Sequence, residues 1–201
     1  MIEITIKKED IDRIVAKVKK LRPEQRNPVF RNAWERATLF MEGRLKYNVS
    51  GPILKVRSGQ LRNSIQSKID YQNGKIRSII GSGARTGKRV PYANIHETGG
   101  IIRPRNAKAL AIPFPFAQAK SGAGNVSARG LFKQYPGRVF IAKGVIWLQR
   151  GKTDKSIVPM FSLVQSVKIP ARHYISRTVS QYGGNVVKIV ERWIDQTIKG
   201  K

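Results

Sequence analysis

The spacing of apolar residues changes period along this chain, and that change limits the fold more than any other feature. From Val29 to Leu45 the apolar positions Val29, Phe30, Ala33, Trp34, Ala37, Met41 and Leu45 recur every three or four residues, the repeat of one helix face over about five turns. From Ile65 the repeat drops to two. Ile65, Ile69 and Tyr71 fall on one side and Gln66, Lys68 and Asp70 on the other, as in a half-buried strand. Period two persists through MFSLVQSVKIP, and a helical stripe returns at Val186, Val190, Trp193, Ile194 and Ile198. Helices, then strands, then a helix predict an α+β fold: a mostly antiparallel sheet with N-terminal helices and a C-terminal helix packed on it, plus a long basic loop or arm. A single domain over 1–201 is expected, with a strand and helices in 1–47, the sheet region in 48–174 and the closing helix in 175–201.

Local signals place the elements within that frame. IEITI alternates like a short strand. Ile11, Ile14, Val15, Val18 and Leu21 then take helical spacing until Pro23 stops them. Asn27–Pro28 reads as an N-cap followed by a first-turn proline for the long helix. Ser58 is placed to cap a short turn that carries Leu61. Asn73–Gly74 predicts a tight hairpin, because both central residues of its turn need positive φ, and Ile76, Ser78 and Ile80 continue the returning strand. A second hairpin is expected between Ile101–Arg103 and Ala109–Ile112, joined by PRNAK. Residues 114–139, rich in Pro, Gly, Ala and Ser, read as an excursion without regular structure. Strand patterning resumes at VFIAKGVIWLQ, GKTDKS reads as a turn, Phe161, Leu163, Val167 and Ile169 share one side of the strand that follows, and Pro170 ends it. The last helix is expected to start after Gly183–Gly184.

Charge narrows the partners. The chain carries 39 Lys and Arg against 12 Asp and Glu, a formal +27, where a small domain usually carries about 2–8 charges of either sign. Between Tyr71 and Thr153 the only acid is Glu97, against fifteen basic residues. Such an excess answers a polyanion or an acidic surface. Arg85, Lys88, Arg89, Arg103, Arg105 and Lys108 are the candidate DNA-facing or interface cations. No apolar run approaches the roughly 20 residues of a membrane span, and no membrane role is expected.

Catalytic signals are weak. With no cysteine, disulfides and thiolate metal sites are excluded, and with His96 and His173 as the only histidines a zinc site would need carboxylates. HETGG lacks the second histidine of HExxH, and no G-x-S-x-G elbow is present. GSGARTGKR lacks phosphate-loop spacing and reads as a cationic loop. No catalytic, cofactor or metal site is expected. The run PYANIHETGG instead predicts one or two helical turns with Pro91 in the first. Tyr92 and His96 then share a face, Glu97 is a local ion-pair partner, and Gly99–Gly100 reverses the backbone.

Three segments occur in a telling order: Ser58, Gly59, Leu61, Ser64 and Ile65; then Tyr92, Ala93, His96, Glu97, Gly99 and Gly100; then Val167, Ile169, Pro170, Ala171, Arg172 and Tyr174. In pattern and spacing they resemble the tail-completion (virion morphogenesis) proteins of tailed bacteriophages, over roughly residues 30–180. The resemblance implies a non-enzymatic virion protein at the head-proximal end of the tail, working at the neck and assembled in the host cytoplasm. There it would form a homo-oligomeric ring, with a hexamer as the expected form, contacting tail-tube and connector proteins and passing genomic DNA. His173 stands where the family often has proline, and the 114–139 excursion is longer than the pattern suggests. That arm could lace onto a neighbouring subunit. Arg172 is expected to anchor a carboxylate, within the chain or across an interface, through its planar donor fork. The alternatives are a non-specific nucleic-acid-binding protein, motivated by the +27, and an enzyme such as a nuclease or toxin, motivated only by His96 and a basic surface.

Overall fold

A computed structural model describes residues 8–54, 59–72, 75–88, 90–118, 127–151 and 156–200. The IEITI segment, Ser58, the Asn73–Gly74 pair, Arg89 and the centre of the 114–139 excursion lie outside the described residues. The fold is α+β with antiparallel sheets, in two compact units: residues 1–99 with 170–201, and residues 100–169.

The first unit is built on helices. Helix α1 (Lys8–Lys19) and helix α2 (Pro23–Asn48) pack with the C-terminal helix α7 (Tyr174–Lys199) around Ile14, Leu21, Ala33, Ala37, Met41, Val186, Val187, Val190 and Ile194. The apolar stripe read from sequence is therefore the buried one. The small Ala33 and Ala37 suit the close approach of α2 to α7. A short α3 (Gln60–Ser64) leads into β1 (Ile65–Gln72), which pairs antiparallel with β2 (Lys75–Ser82), Gln72 opposite Lys75. A second short helix, α4 (Ala93–Thr98), completes the unit.

Two helix starts differ from the sequence reading. Helix α2 begins at Pro23, with Arg22 as N-cap, and Pro28 lies inside it. Pro23 already supplies the fixed φ and absent N–H that suit a first turn, and Pro28 one turn later removes only one further hydrogen bond. Helix α7 begins at Tyr174 and runs through Gly183–Gly184. Two glycines cost about 1 kcal/mol each in a helix; burial of Tyr174 and Thr178 before them and of Val186, Val187, Val190 and Ile194 after them outweighs that.

The second unit has its own core, which is why one expected domain appears as two compact groups. After β3 (Gly100–Ile102) come β4 (Leu110–Pro113), α5 (Pro115–Gln118), α6 (Ala128–Gln134), β5 (Val139–Ala142), β6 (Val145–Gln149), β7 (Ile157–Val164) and β8 (Val167–Ile169). One sheet has the order β4-β7-β6-β5, and among the described residues β3 pairs with β8 in a separate two-stranded sheet. The core gathers Ala117, Leu131, Ile146, Leu148, Met160 and Phe161.

The expected PRNAK hairpin is absent: β3 and β4 join different partners, β8 and β7. Local sequence sets strand character, whereas partner choice is made over long sequence separations. The strand-patterned VFIAKGVIWLQ forms the β5–β6 hairpin, turning at Lys143 (φ 50°) and Gly144 (φ 72°). MFSLVQSVKIP divides between β7 and β8. The register shift at Ile146/Trp147 skips Met160, so Met160 and Phe161 are both buried. The described flanks of the 114–139 excursion are helical, and the Ser127 hydroxyl accepts from the Gly130 N–H at 3.1 Å to cap α6. Helices this short show no readable period.

Candidate functional site

Of the three sequence segments singled out above, the described residues lie in the first unit except Gly100, Val167 and Ile169, which belong to the second. Gly59 (φ 72°) precedes α3, a conformation that disfavours any side chain. The Ser64 carbonyl accepts from the Gly83 N–H at 2.8 Å. The Ser64 hydroxyl lies 2.9 Å from that of Ser82, which also accepts from the Val90 N–H at 2.9 Å. The first segment is thus tied to the residue that leads into Pro91 and α4. Ile65 and Tyr174 are both buried in one cluster with Leu45 and Val49, against which Leu61 and Ile175 pack. Tyr174 joins the third segment to the first.

Glu97 joins the second segment to the third. Helix α7 has no side-chain cap of its own: its N-cap, His173, sits in the left-handed region at φ 51°. Glu97 takes over. Its carbonyl accepts from the His173 N–H at 3.2 Å. Its carboxylate accepts from the Ile175 N–H at 2.7 Å, the Ser176 N–H at 3.1 Å and the Ser176 hydroxyl at 2.5 Å. Three of the four N–H groups that a helix start leaves unpaired are so satisfied by one residue, with negative charge at the positive end of the helix dipole. The expected ion pair is corrected accordingly: among the described residues Glu97 pairs with backbone and hydroxyl donors rather than a cation.

His96 faces elsewhere. Its ring meets that of Tyr92 edge-on, with centroids 5.8 Å apart, the shared face expected from the sequence. Its carbonyl accepts from the Arg172 N–H at 2.8 Å. Its Nδ1 is buried without a hydrogen-bond partner among the described residues. Burial first, and the Arg172 cation second, lower its pKa, which favours the neutral imidazole over the charged one. Burial, and then the Glu97 carboxylate, push the Tyr174 phenol up to about 12. Ala93 is buried, Gly99 ends α4 at φ 71° and Gly100 follows at φ 154°. Arg172 is exposed, and among the described residues no carboxylate meets its guanidinium; what it holds within the chain is the His96 carbonyl, through its backbone. Pro170 and Ala171 link β8 to that contact.

The arrangement can orient a helix. Both carboxylate oxygens of Glu97 are engaged by α7, and His96 and Glu97 have different partners, so they do not form an acid–base pair. A groove of about 600 Å³ is lined by Phe40, Lys188, Ile189 and Arg192 among others, and none of the motif residues lines it.

The described candidate cations divide between the two units. Arg85 and Lys88 belong to the first unit and are exposed, Arg85 donating to the Ser67 carbonyl at 3.4 Å. Arg103, Arg105 and Lys108 belong to the second unit, exposed between β3 and β4. The second unit adds six exposed cations that motif reading passed over: Arg129, Lys133, Arg138, Lys143, Arg150 and Lys168. The near-absence of acids after Glu97 was the signal that could have found them.

One further surface was not legible in the sequence. The side of the four-stranded sheet opposite its core carries Leu110, Ile112, Phe140, Trp147, Pro159 and Val164 with other uncharged residues, and none of them is fully buried. The Trp147 indole N–H is satisfied internally by the Ala142 carbonyl at 3.2 Å. Comparison with protein-family models, with curated proteins and with solved structures yields no match. Among the described residues no helix is long and apolar enough to cross a membrane.

Proposed function

We propose that this chain is a non-enzymatic assembly protein of a phage virion, forming a homo-oligomeric ring at the head-proximal end of the tail, where it completes the tube and joins it to the head. The observation that carries the reading is the interlocking of the three tail-completion-like segments. Their recurring residues support one another as scaffold: Gly59 and Ser64 fix a turn, Ile65 packs against Tyr174, and Glu97 caps α7. A set of residues engaged in turns, packing and capping fits a structural role, and the Glu97 carboxylate is occupied in holding α7.

Assembly also needs a surface on which chains of +27 can meet. The uncharged open face of the second unit's sheet, with Ile112 and Phe140 each 40% exposed, offers apolar area free of direct cation–cation contact. Apolar sheet faces of this kind are ordinarily covered by a partner. A head-to-tail ring of identical chains would cover it.

Sedimentation velocity over a range of concentrations, alone and with tail-tube protein, tests the reading. The expected result is a closed oligomer that Phe140→Glu with Ile112→Glu disperses. A chain that stays monomeric under all these conditions overturns it.

A further inference from the structure

We infer that the second unit, residues 100–169, is a contact module for the phosphate backbone of double-stranded nucleic acid. The inference rests on where charge is left unanswered, and it stands whether or not the chain closes into a ring.

The two units treat their cations differently. Ten of the chain's twelve carboxylates belong to described residues of the first unit. There they meet cations repeatedly: Arg13 with Asp10 and Glu191, Lys17 with Asp195, Arg31 with Glu35, Lys46 with Glu42, and Lys68 with Asp70. Further arginines lie over rings, Arg36 3.6 Å from the Trp193 centroid and Arg44 5.0 Å from those of Phe40 and Tyr182. The second unit has nine described cations, all exposed, and no carboxylate among its described residues. Its sole acid, Asp154, lies outside them. So many like charges without counter-charges oppose folding. Their presence calls for an external anion.

Their placement suits a repeating anion. Arg129 and Lys133 are four apart on α6, hence on one helix face, while Leu131 turns inward. Arg138 and Arg150 mark one end of the β5–β6 hairpin, where the Gln149 N–H donates to the Arg138 carbonyl at 2.8 Å, and the Arg150 guanidinium lies 5.0 Å over Phe116. Lys143 marks the other end at the turn. Arginine forks and lysine points of charge on turns and helix faces are the donors that phosphate oxygens take.

An acidic protein is the competing partner, and the distribution argues against it. A protein interface sets an apolar centre within a polar rim. Arg138, opposite Gln149, borders the open apolar sheet face, and the other cations are spread over loops, turns, α6 and β8. Regularly spaced phosphates need charge and donors without an apolar centre.

The test uses the full chain and a fluorescent duplex DNA, with binding measured across a salt series. Each phosphate neutralised contributes about −0.9 to the slope of log affinity against log salt. The quadruple variant Arg129→Ala, Lys133→Ala, Arg138→Ala, Arg150→Ala is expected to flatten that slope by about 3–4. A charge-matched control in the first unit, Lys8→Ala, Lys20→Ala, Arg22→Ala, Lys188→Ala, is expected to change it by less than about 1. Both sets are exposed, and thermal unfolding of each variant verifies that it folds. An equal effect of the two sets, or an unchanged slope in the first, overturns the inference. So does polyglutamate that binds as tightly as DNA and is lost with the same four residues, the mark of an acidic protein partner. Sedimentation of the same samples keeps failure of the ring separate from failure of the phosphate contact.

Discussion

Removing the Glu97 side chain tests the central structural claim, that a residue of α4 starts helix α7. In Glu97→Ala the N–H groups of Ile175 and Ser176 and the Ser176 hydroxyl lose their acceptor, while the carbonyl that serves His173 remains. Hydrogen bonds to a charged group contribute about 1.5–3 kcal/mol each, and loss of an N-cap side chain costs about 0.5–2 kcal/mol. Glu97 is only partly buried, so water reaches some of the freed donors, and the three bonds share one carboxylate and do not add. An overall cost of about 2–4 kcal/mol follows. For a chain of this size about 1 kcal/mol corresponds to about 2–4 °C, so Tm should fall by about 4–16 °C. Glu97→Gln keeps one acceptor oxygen but loses the charge at the helix dipole, and should cost about 1–2 kcal/mol. Urea unfolding of the three proteins, read by circular dichroism, measures both steps. A Glu97→Ala cost below about 0.5 kcal/mol, or a Gln variant no better than Ala, refutes the capping argument, since cap loss and charge loss should be separable.

Three further outcomes are expected. Thr178→Val leaves the buried Asn48 Nδ2, now 2.8 Å from the Thr178 hydroxyl, without that acceptor, and should cost about 1–3 kcal/mol in chemical denaturation; a cost within error of zero contradicts the α2–α7 latch. Gly184→Ala should stabilise by about 0.5–1 kcal/mol, because a Cβ there meets nothing within 4 Å inside a regular helix; a lower Tm contradicts it. His96 has a folded pKa below its ordinary 6.5, so the unfolded chain takes up the proton first. Its contribution to stability is full above 6.5 and declines as pH falls from there through the folded pKa. His96→Phe should remove that part of the pH dependence in thermal melts at successive pH values, and an identical pH profile in both proteins contradicts it.

Most elements were legible because each carries a local signature. The α2 stripe, the β1–β2 alternation, the α4 turns and the Tyr92–His96 face followed from periodicity and stereochemistry within a few residues. Errors arose where distant residues decide. Pairing of β3 with β8 and of β4 with β7 joins segments more than 45 residues apart, and nothing in IIRPRNAKALAI favours those partners over each other. The Lys143–Gly144 turn had one local sign, a glycine in its second position, obscured by the apolar residues on either side. Residues of the candidate site were legible as a pattern, but not their roles: Glu97 looked like an ion-pair partner because only the fold brings the start of α7 to it.

The sequence by itself determined the order and type of the long elements, the excess of cations and the absence of thiol chemistry, since these depend on composition and on contacts within one or two turns. Tertiary structure decided which strands pair, that α7 continues across two glycines, that residues 100–169 enclose their own core, and that a carboxylate nearly 80 residues upstream in sequence caps the last helix. The physical reason is that burial and satisfaction of backbone donors are settled by neighbours in space, and those free energies exceed the tenths of a kcal/mol that local propensity supplies.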